Sequence, residues 1–127
     1  MPTYNLTYGW QYLSSSLGYT IAKTGSSETS LSESVATGQT AFLINVAIDV
    51  SEVKALFIVS DQDVTVKTNS SGAPDNTISL LANRPLSWDP NSYFANLLTV
   101  DVTKIYVANA SGSAATLQIY VLQDATP

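Results

Sequence analysis

The chain contains neither cysteine nor histidine among its 127 residues. Without cysteine it has no disulfide bonds, no thiolate metal sites and no cysteine nucleophile, and without histidine it has no triad or metal site that uses an imidazole. General acid–base catalysis near neutral pH would then need an Asp or Glu whose pKa is strongly shifted. We therefore expect a protein that is not an enzyme, with no catalytic residues, no metal and no cofactor.

Charged residues are also scarce, at 12% of the chain, with five basic and ten acidic residues and a net charge of −5. The basic residues are scattered singly, and a nucleic-acid groove needs clustered positive charge. No apolar run approaches the roughly 20 residues of a membrane-spanning helix. The start of the chain, Met1–Tyr4, lacks the basic and apolar regions of a secretory signal. The sequence therefore predicts no nucleic-acid partner, no membrane partner and synthesis in the cytoplasm without export.

The dominant pattern in the sequence is an apolar–polar alternation with a period of two. Near the N-terminus, Tyr4, Leu6, Tyr8, Trp10 and Tyr12 alternate with small or polar residues. Successive side chains of a strand point to opposite faces, so this alternation predicts a half-buried strand with an aromatic face. The same alternation in residues 17–23, after a serine turn, predicts a hairpin.

Similar runs continue along the chain, and no helical periodicity persists beyond a turn or two. We predict an antiparallel β-sandwich of jelly-roll or immunoglobulin-like type, with eight or nine strands and no substantial helix. Residues 1–127 are expected to form a single domain, in which residues 1–39 are an extended or partner-pairing hairpin arm. The further predicted strands are a weak one around Thr29–Val35, Thr40–Val50 (buried on both sides), Val53–Ser60 and Val64–Thr68 (joined as a second hairpin), Thr77–Ala82, one or two between Leu97 and Asn109, and Thr116–Gln123.

Acidic residues offer one candidate metal site. Asp61 and Asp63, with Asp75 and Asn76 across a loop, carry the oxygen ligands that calcium prefers. However, the segment lacks the glycine and the further carboxylates of a calcium loop, and Asp at a turn commonly accepts hydrogen bonds from backbone amides. We favour the turn interpretation, so the sequence predicts no metal site.

Aromatic residues form the main candidate binding groups. The alternating aromatic face of the first strand is either a sugar-stacking platform or a core or subunit contact. Pro85 and Pro90 mark residues 83–96 as a long loop, and aromatic residues in such a loop either close the end of a sandwich or contact a partner. The residues that we predict to bind a partner are Trp10, Tyr12, Trp88, Tyr93 and Phe94.

Four stretches of residues 40–127 resemble small virion structural proteins of tailed bacteriophages. They are Leu56–Asn69, Leu80–Trp88 with its Ala82-Asn83-Arg84-Pro85-Leu86 centre, Asp101–Asn109 and the C-terminal Leu117–Pro127. Proteins of this kind are capsid decoration, or cement, proteins and other minor head components. The resemblance is one of pattern rather than of a catalytic motif.

This resemblance implies a structural protein on the exterior of the virion that binds the major capsid protein and stabilises the shell. It also implies self-association into a trimer or another oligomer, and a repeated shell would supply avidity even if each contact were weak. Two alternatives remain open from the sequence. One is a carbohydrate-binding module on the head or a tail fibre, using Tyr8, Trp10 and Tyr12. The other is a tail or neck component, which would share every sequence property with a head protein.

Overall fold

The computed structural model describes residues 3–12 and 15–125. Among them are ten β-strands and one short 3-10 turn, Val50–Glu52. The strands are β1 (Thr3–Tyr12), β2 (Ser15–Thr24), β3 (Ser27–Val35), β4 (Phe42–Ile48), β5 (Val53–Ser60), β6 (Val64–Thr68), β7 (Thr77–Leu80), β8 (Leu86–Trp88), β9 (Val102–Ala108) and β10 (Ala115–Gln123).

Eight of these strands form two four-stranded antiparallel sheets. We call β3-β10-β5-β8 sheet I and β4-β9-β6-β7 sheet II. The antiparallel pairs are nested along the chain: β3 with β10, β4 with β9, β5 with β8 and β6 with β7. The two sheets are completed by the pairing of β10 with β5 and of β6 with β9. This arrangement is the jelly roll, an eight-stranded sandwich of two sheets.

The predicted antiparallel sandwich is therefore confirmed, and it is of the jelly-roll type. The predicted number of eight or nine strands is too low, because β8 lies within the segment that the prolines marked as a loop. The predicted hairpin between residues 53–60 and 64–68 is wrong. β5 belongs to sheet I and β6 to sheet II, so the turn at residues 61–63 carries the chain from one sheet to the other.

The core lies between the two sheets and follows the alternation in the sequence. In β10, Leu117, Ile119 and Val121 are at most 1% exposed, while the intervening Gln118 and Tyr120 lie on the outer face. In β4 the same alternation holds, and Leu43 on its outer face is 48% exposed. The prediction that this strand is buried on both sides is therefore wrong, since an antiparallel sheet can leave one face to solvent.

The turn between β9 and β10 requires a glycine. Gly112 has a φ of +91°, in the left-handed region that side chains disfavour. We expect Gly112→Ala to lower the free energy of unfolding by about 1 kcal/mol, measured by urea denaturation. Gly72→Ala is the matched control, because no atom lies within 4 Å of its added Cβ and its φ is not positive. A Gly112→Ala protein as stable as the control would contradict this expectation.

Candidate functional site

β1 and β2 form a separate hairpin, and among the described residues neither strand pairs with a strand of sheet I or sheet II. The ten pairs from Thr3↔Thr24 to Tyr12↔Ser15 confirm the predicted N-terminal hairpin. A two-stranded hairpin is only marginally stable by itself in water. Its position therefore depends on side-chain contacts with the sandwich.

The hairpin lies against the outer face of sheet I. Residues directly opposite each other in an antiparallel sheet share a face, which places two cross-strand rows on that side. These rows are Glu28–Leu122–Ala55 and Ser30–Tyr120–Phe57–Ser87. The rings of Phe57 and Tyr120 lie 6.1 Å apart at 53° and form the aromatic centre of the face.

β1 crosses this face from the β3 edge to the β8 edge. At one end the Tyr4 hydroxyl is hydrogen-bonded to Glu28 of β3. At the other end the Tyr8 hydroxyl lies 3.2 Å from the Ser87 hydroxyl of β8. Four residues of extended chain cover about 13 Å, and four strands side by side span about 14 Å. β1 therefore crosses the strands beneath it rather than running along one of them.

A buried carboxylate of the sandwich binds both strands of the hairpin. Asp89, which is 2% exposed, follows β8 directly. The Tyr8 hydroxyl donates to its Oδ2 at 3.1 Å, and the Lys23 ammonium of β2 lies 3.6 Å from its Oδ1. Lys23 also donates to the Asn91 side chain. Both strands of the hairpin are thus tied to a single residue of the sandwich, and we call Tyr8, Lys23 and Asp89 the clamp.

A groove runs along β1 between the hairpin and sheet I. It has a volume of about 510 Å³, and its wall includes all five residues Tyr4–Tyr8. None of Thr20–Lys23, the β2 residues opposite Tyr4–Thr7, lines it. The groove therefore lies on the side of β1 that faces away from β2, over the floor made by Phe57, Tyr120 and Leu122.

The polar end of the groove is at Tyr4 and Glu28. Desolvation raises the pKa of the Tyr4 hydroxyl above its ordinary value of 10.0. The hydrogen bond with Glu28 and the negative charge of Glu28 raise this pKa further. The hydroxyl therefore stays protonated at neutral pH and acts as a donor to the carboxylate. Glu28 is the only charged side chain among the described residues that line the groove.

A second surface is formed by the loop after β8, residues 89–101, which we call the aromatic loop. Tyr93 is 95% exposed and Phe94 is 78% exposed, and their rings pack edge to face with centroids 5.1 Å apart. Leu97 and Val100 of the same loop are about half exposed. Single exposed apolar side chains are common on protein surfaces, whereas a contiguous group of them marks a contact surface.

The aromatic loop is held in place at several points along its length. The Trp88 indole N–H donates to the Phe94 carbonyl at 2.9 Å. The Asp89 carboxylate accepts from the Asn91 amide at 2.7 Å, which fixes the first turn of the loop. Further along, Leu98 is buried, and Asn76 exchanges two hydrogen bonds with Thr99, at 2.9 and 3.0 Å. The exposed rings are therefore presented in a defined position.

The structure separates the five predicted partner-binding residues into three groups. Tyr93 and Phe94 are exposed together, as a contact surface requires. Trp88 is half-buried and packs against the core, so its structural part is to support the loop. Trp10 and Tyr12 belong to β1, but their side chains lie outside the described part of the structure.

The clamp could not be predicted from the sequence. Tyr8 and Asp89 are 81 residues apart in the chain, and no local pattern joins them. The only signal was the Asp-Pro pair after an apolar segment, which indicated a turn. The parity of Tyr8 indicated that it shares a face with Tyr4, and the structure places both on the groove.

The oxygen ligands considered for calcium each accept a separate hydrogen bond. Within the described ranges no group of three or more acidic residues is placed to hold a metal ion. Asp61 accepts from the Thr116 amide, Asp63 from the Ala82 amide, Asp75 from the Asn69 side chain and Asn76 from the Thr99 amide, so three of these four groups bind backbone amides of distant segments rather than those of their own turn.

None of residues 3–12 and 15–125 belongs to a helix that is long and apolar enough to cross a membrane. Comparison of the chain with protein-family models, with curated proteins and with solved structures found no match. Function is therefore inferred from the groove, from the aromatic loop and from the sequence resemblance.

Proposed function

We propose that this chain is a structural virion protein of a tailed bacteriophage that decorates the outer surface of the capsid by binding the major capsid protein. The observation that carries the proposal is the braced aromatic loop, which exposes Tyr93 and Phe94 almost fully. Aromatic side chains dominate the energetics of protein interfaces, and positioning them in advance lowers the entropy lost on binding.

The fold and the composition support the same role. Jelly rolls occur in capsid proteins and in lectins, although a fold alone does not specify a function. The net charge of −5 is spread over isolated residues, so binding would depend on apolar contact more than on electrostatic attraction. A decoration protein binds many equivalent positions on a shell, and self-association adds avidity to each contact.

The test is the occupancy of capsids by variants of the aromatic loop. We expect the Tyr93→Ser/Phe94→Ser double variant to bind purified shells at least tenfold more weakly than the unmodified protein, because interface hot spots each contribute about 2 kcal/mol or more. Occupancy would be measured by gradient sedimentation of the particles followed by quantification of the bound protein. Circular dichroism would establish that the variant keeps its sandwich.

The matched control is Leu43→Ser, which removes a half-exposed apolar side chain from the outer face of sheet II. Its occupancy should equal that of the unmodified protein. Full occupancy by the double variant would exclude the aromatic loop as the contact. Absence of the unmodified protein from the particles would exclude the decoration role itself.

One observation favours a carbohydrate-binding function as the second candidate. A cleft of about 420 Å³ between the hairpin and the aromatic loop combines the rings of Tyr8, Trp88 and Tyr93 with the polar side chains of Asn91 and Ser92. Aromatic faces beside hydroxyl and amide groups suit sugar rings. Glycan-array binding that Tyr8→Ala abolishes, by a protein that does not occupy purified shells, would favour this alternative over decoration.

A further inference from the structure

We infer that the groove along β1 binds an extended polypeptide segment of a partner protein, which adds as a third strand to the hairpin and places a basic side chain beside Glu28. This site is separate from the aromatic loop. Its test uses only the purified protein and synthetic peptides, so its outcome does not depend on the decoration role.

β1 has one edge that is unpaired in the described part of the chain. Within residues 3–12 and 15–125, β2 is the only strand that pairs with β1. The other edge therefore presents backbone N–H and C=O groups over ten residues, and such edges recruit extended chains by backbone hydrogen bonding. The groove lies along this edge, since β1 lines it and the opposing β2 residues do not.

The floor of the groove is mostly apolar. A strand added to β1 would have one face over sheet I, where Phe57, Tyr120 and Leu122 provide an apolar surface. Alternate side chains of the added strand point down to that floor, so small or medium apolar residues at every second position fit it. The crossing distance of about 13 Å between Tyr4 and Tyr8 accommodates roughly five residues of extended chain.

The charged side chain among the described residues that line the groove is acidic. Glu28 lies at the Tyr4 end of the groove, and within the described ranges the single ion pair is that of Lys23 with Asp89, so no Lys or Arg lies within ion-pair distance of Glu28. A Lys or Arg of the bound segment would pair with Glu28, and the net charge of −5 favours a basic segment over an acidic one. Antiparallel pairing is the more stable of the two strand orientations. Because β1 begins at the Glu28 end, the basic residue should lie near the C-terminus of the segment.

The experiment uses a short fluorescent peptide of alternating Thr and Val with one Lys near its C-terminus, with binding measured by fluorescence anisotropy. Three matched peptides carry Glu in place of Lys, carry the Lys near the N-terminus, or carry N-methyl groups on alternate backbone nitrogens. We expect the first peptide to bind at least tenfold more tightly than the Glu peptide and severalfold more tightly than the N-terminal Lys peptide. The N-methylated peptide should not bind, because it cannot donate to the edge of β1.

Two protein variants connect the binding to this groove. Glu28→Gln should remove the preference for Lys over Glu and leave the remaining affinity for the Lys peptide intact. Glu33→Gln is the matched control, since it lies on the same strand but on the opposite face of sheet I, and it should keep the preference. Neither substitution removes an apolar core side chain, so both variants are expected to fold.

Several results would overturn the inference. Failure of the Lys peptide to bind, or equal binding of the N-methylated peptide, would show that β1 does not recruit a strand. A Lys preference that survives Glu28→Gln would place the peptide elsewhere. A concentration-dependent dimer in sedimentation velocity that excludes the peptide would identify a second copy of this chain as the occupant instead.

Discussion

Replacing Asp89 by alanine is expected to lower the free energy of unfolding by about 3 kcal/mol and to detach the hairpin from sheet I. The Asp89 carboxylate is buried, accepts from Tyr8 and Asn91, and pairs with Lys23 at 3.6 Å. Its removal leaves the mostly buried Lys23 ammonium without its counter-charge, which is the costly way to disrupt such a pair. Urea denaturation measures the loss, and hydrogen exchange of the β1 and β2 amides measures the detachment.

The matched control for this prediction is Asp75→Ala. Asp75 is exposed, and its carboxylate accepts one side-chain hydrogen bond, from Asn69 at 2.7 Å. Exposed substitutions of this kind change stability by about 0.5 kcal/mol or less. If Asp89→Ala proved as stable as Asp75→Ala, with unchanged exchange in β1 and β2, the clamp would not be what holds the hairpin.

Gly25→Ala is expected to lower the free energy of unfolding by about 2 kcal/mol, because the added methyl group has no space at the corner between β2 and β3. A Cβ on Gly25 would lie 2.4 Å from Cδ1 and 2.6 Å from Cγ of Leu122, and 3.0 Å from the Gln123 carbonyl oxygen. Leu122 is itself 5% exposed and has little room to move. The change therefore forces the hairpin away from the groove floor, and thermal and urea denaturation measure the cost.

A double-mutant cycle tests the physical cause of this effect. Leu122→Ala destabilises the protein by removing buried apolar contacts, but in the Gly25→Ala background it also relieves the clash. The two changes together should therefore cost at least about 1 kcal/mol less than their sum. Strict additivity would show that the clash with Leu122 is not the cause, and Gly72→Ala, with no atom within 4 Å of its added Cβ, supplies the control for the glycine change itself.

The strands could be predicted because their cause is local. An apolar side chain at every second position gives a strand one face that must be buried, and the alternation in residues 4–12, 64–68 and 116–123 indicated strands that the structure contains. β8 was missed because three residues, two of them large and apolar, carry no readable period. It exists because β5 offers them a partner edge, as the pairs Leu56↔Trp88 and Ile58↔Leu86 show.

Some residues of the candidate sites could be predicted from the sequence, and others could not. Tyr93 and Phe94 could be identified from the sequence, because prolines marked their segment as a loop and aromatic residues in loops are unusual. The support that Trp88 gives them could not, since it depends on the backbone of Phe94 returning to within 2.9 Å of the indole nitrogen. The groove could not be predicted from the sequence either, because it is formed by β1, β5 and β10, which are distant in the chain.

The sequence by itself determined that this protein is an antiparallel sandwich, because a period of two in the side chains dictates which face of each strand leaves water. It also placed two aromatic side chains in a loop. The tertiary structure alone decided which strands share a sheet, that β1 and β2 cross the outer face of sheet I, and that Tyr8 and Lys23 meet Asp89. Those arrangements depend on long-range pairing and on the charge of a buried carboxylate, and neither leaves a pattern in neighbouring residues.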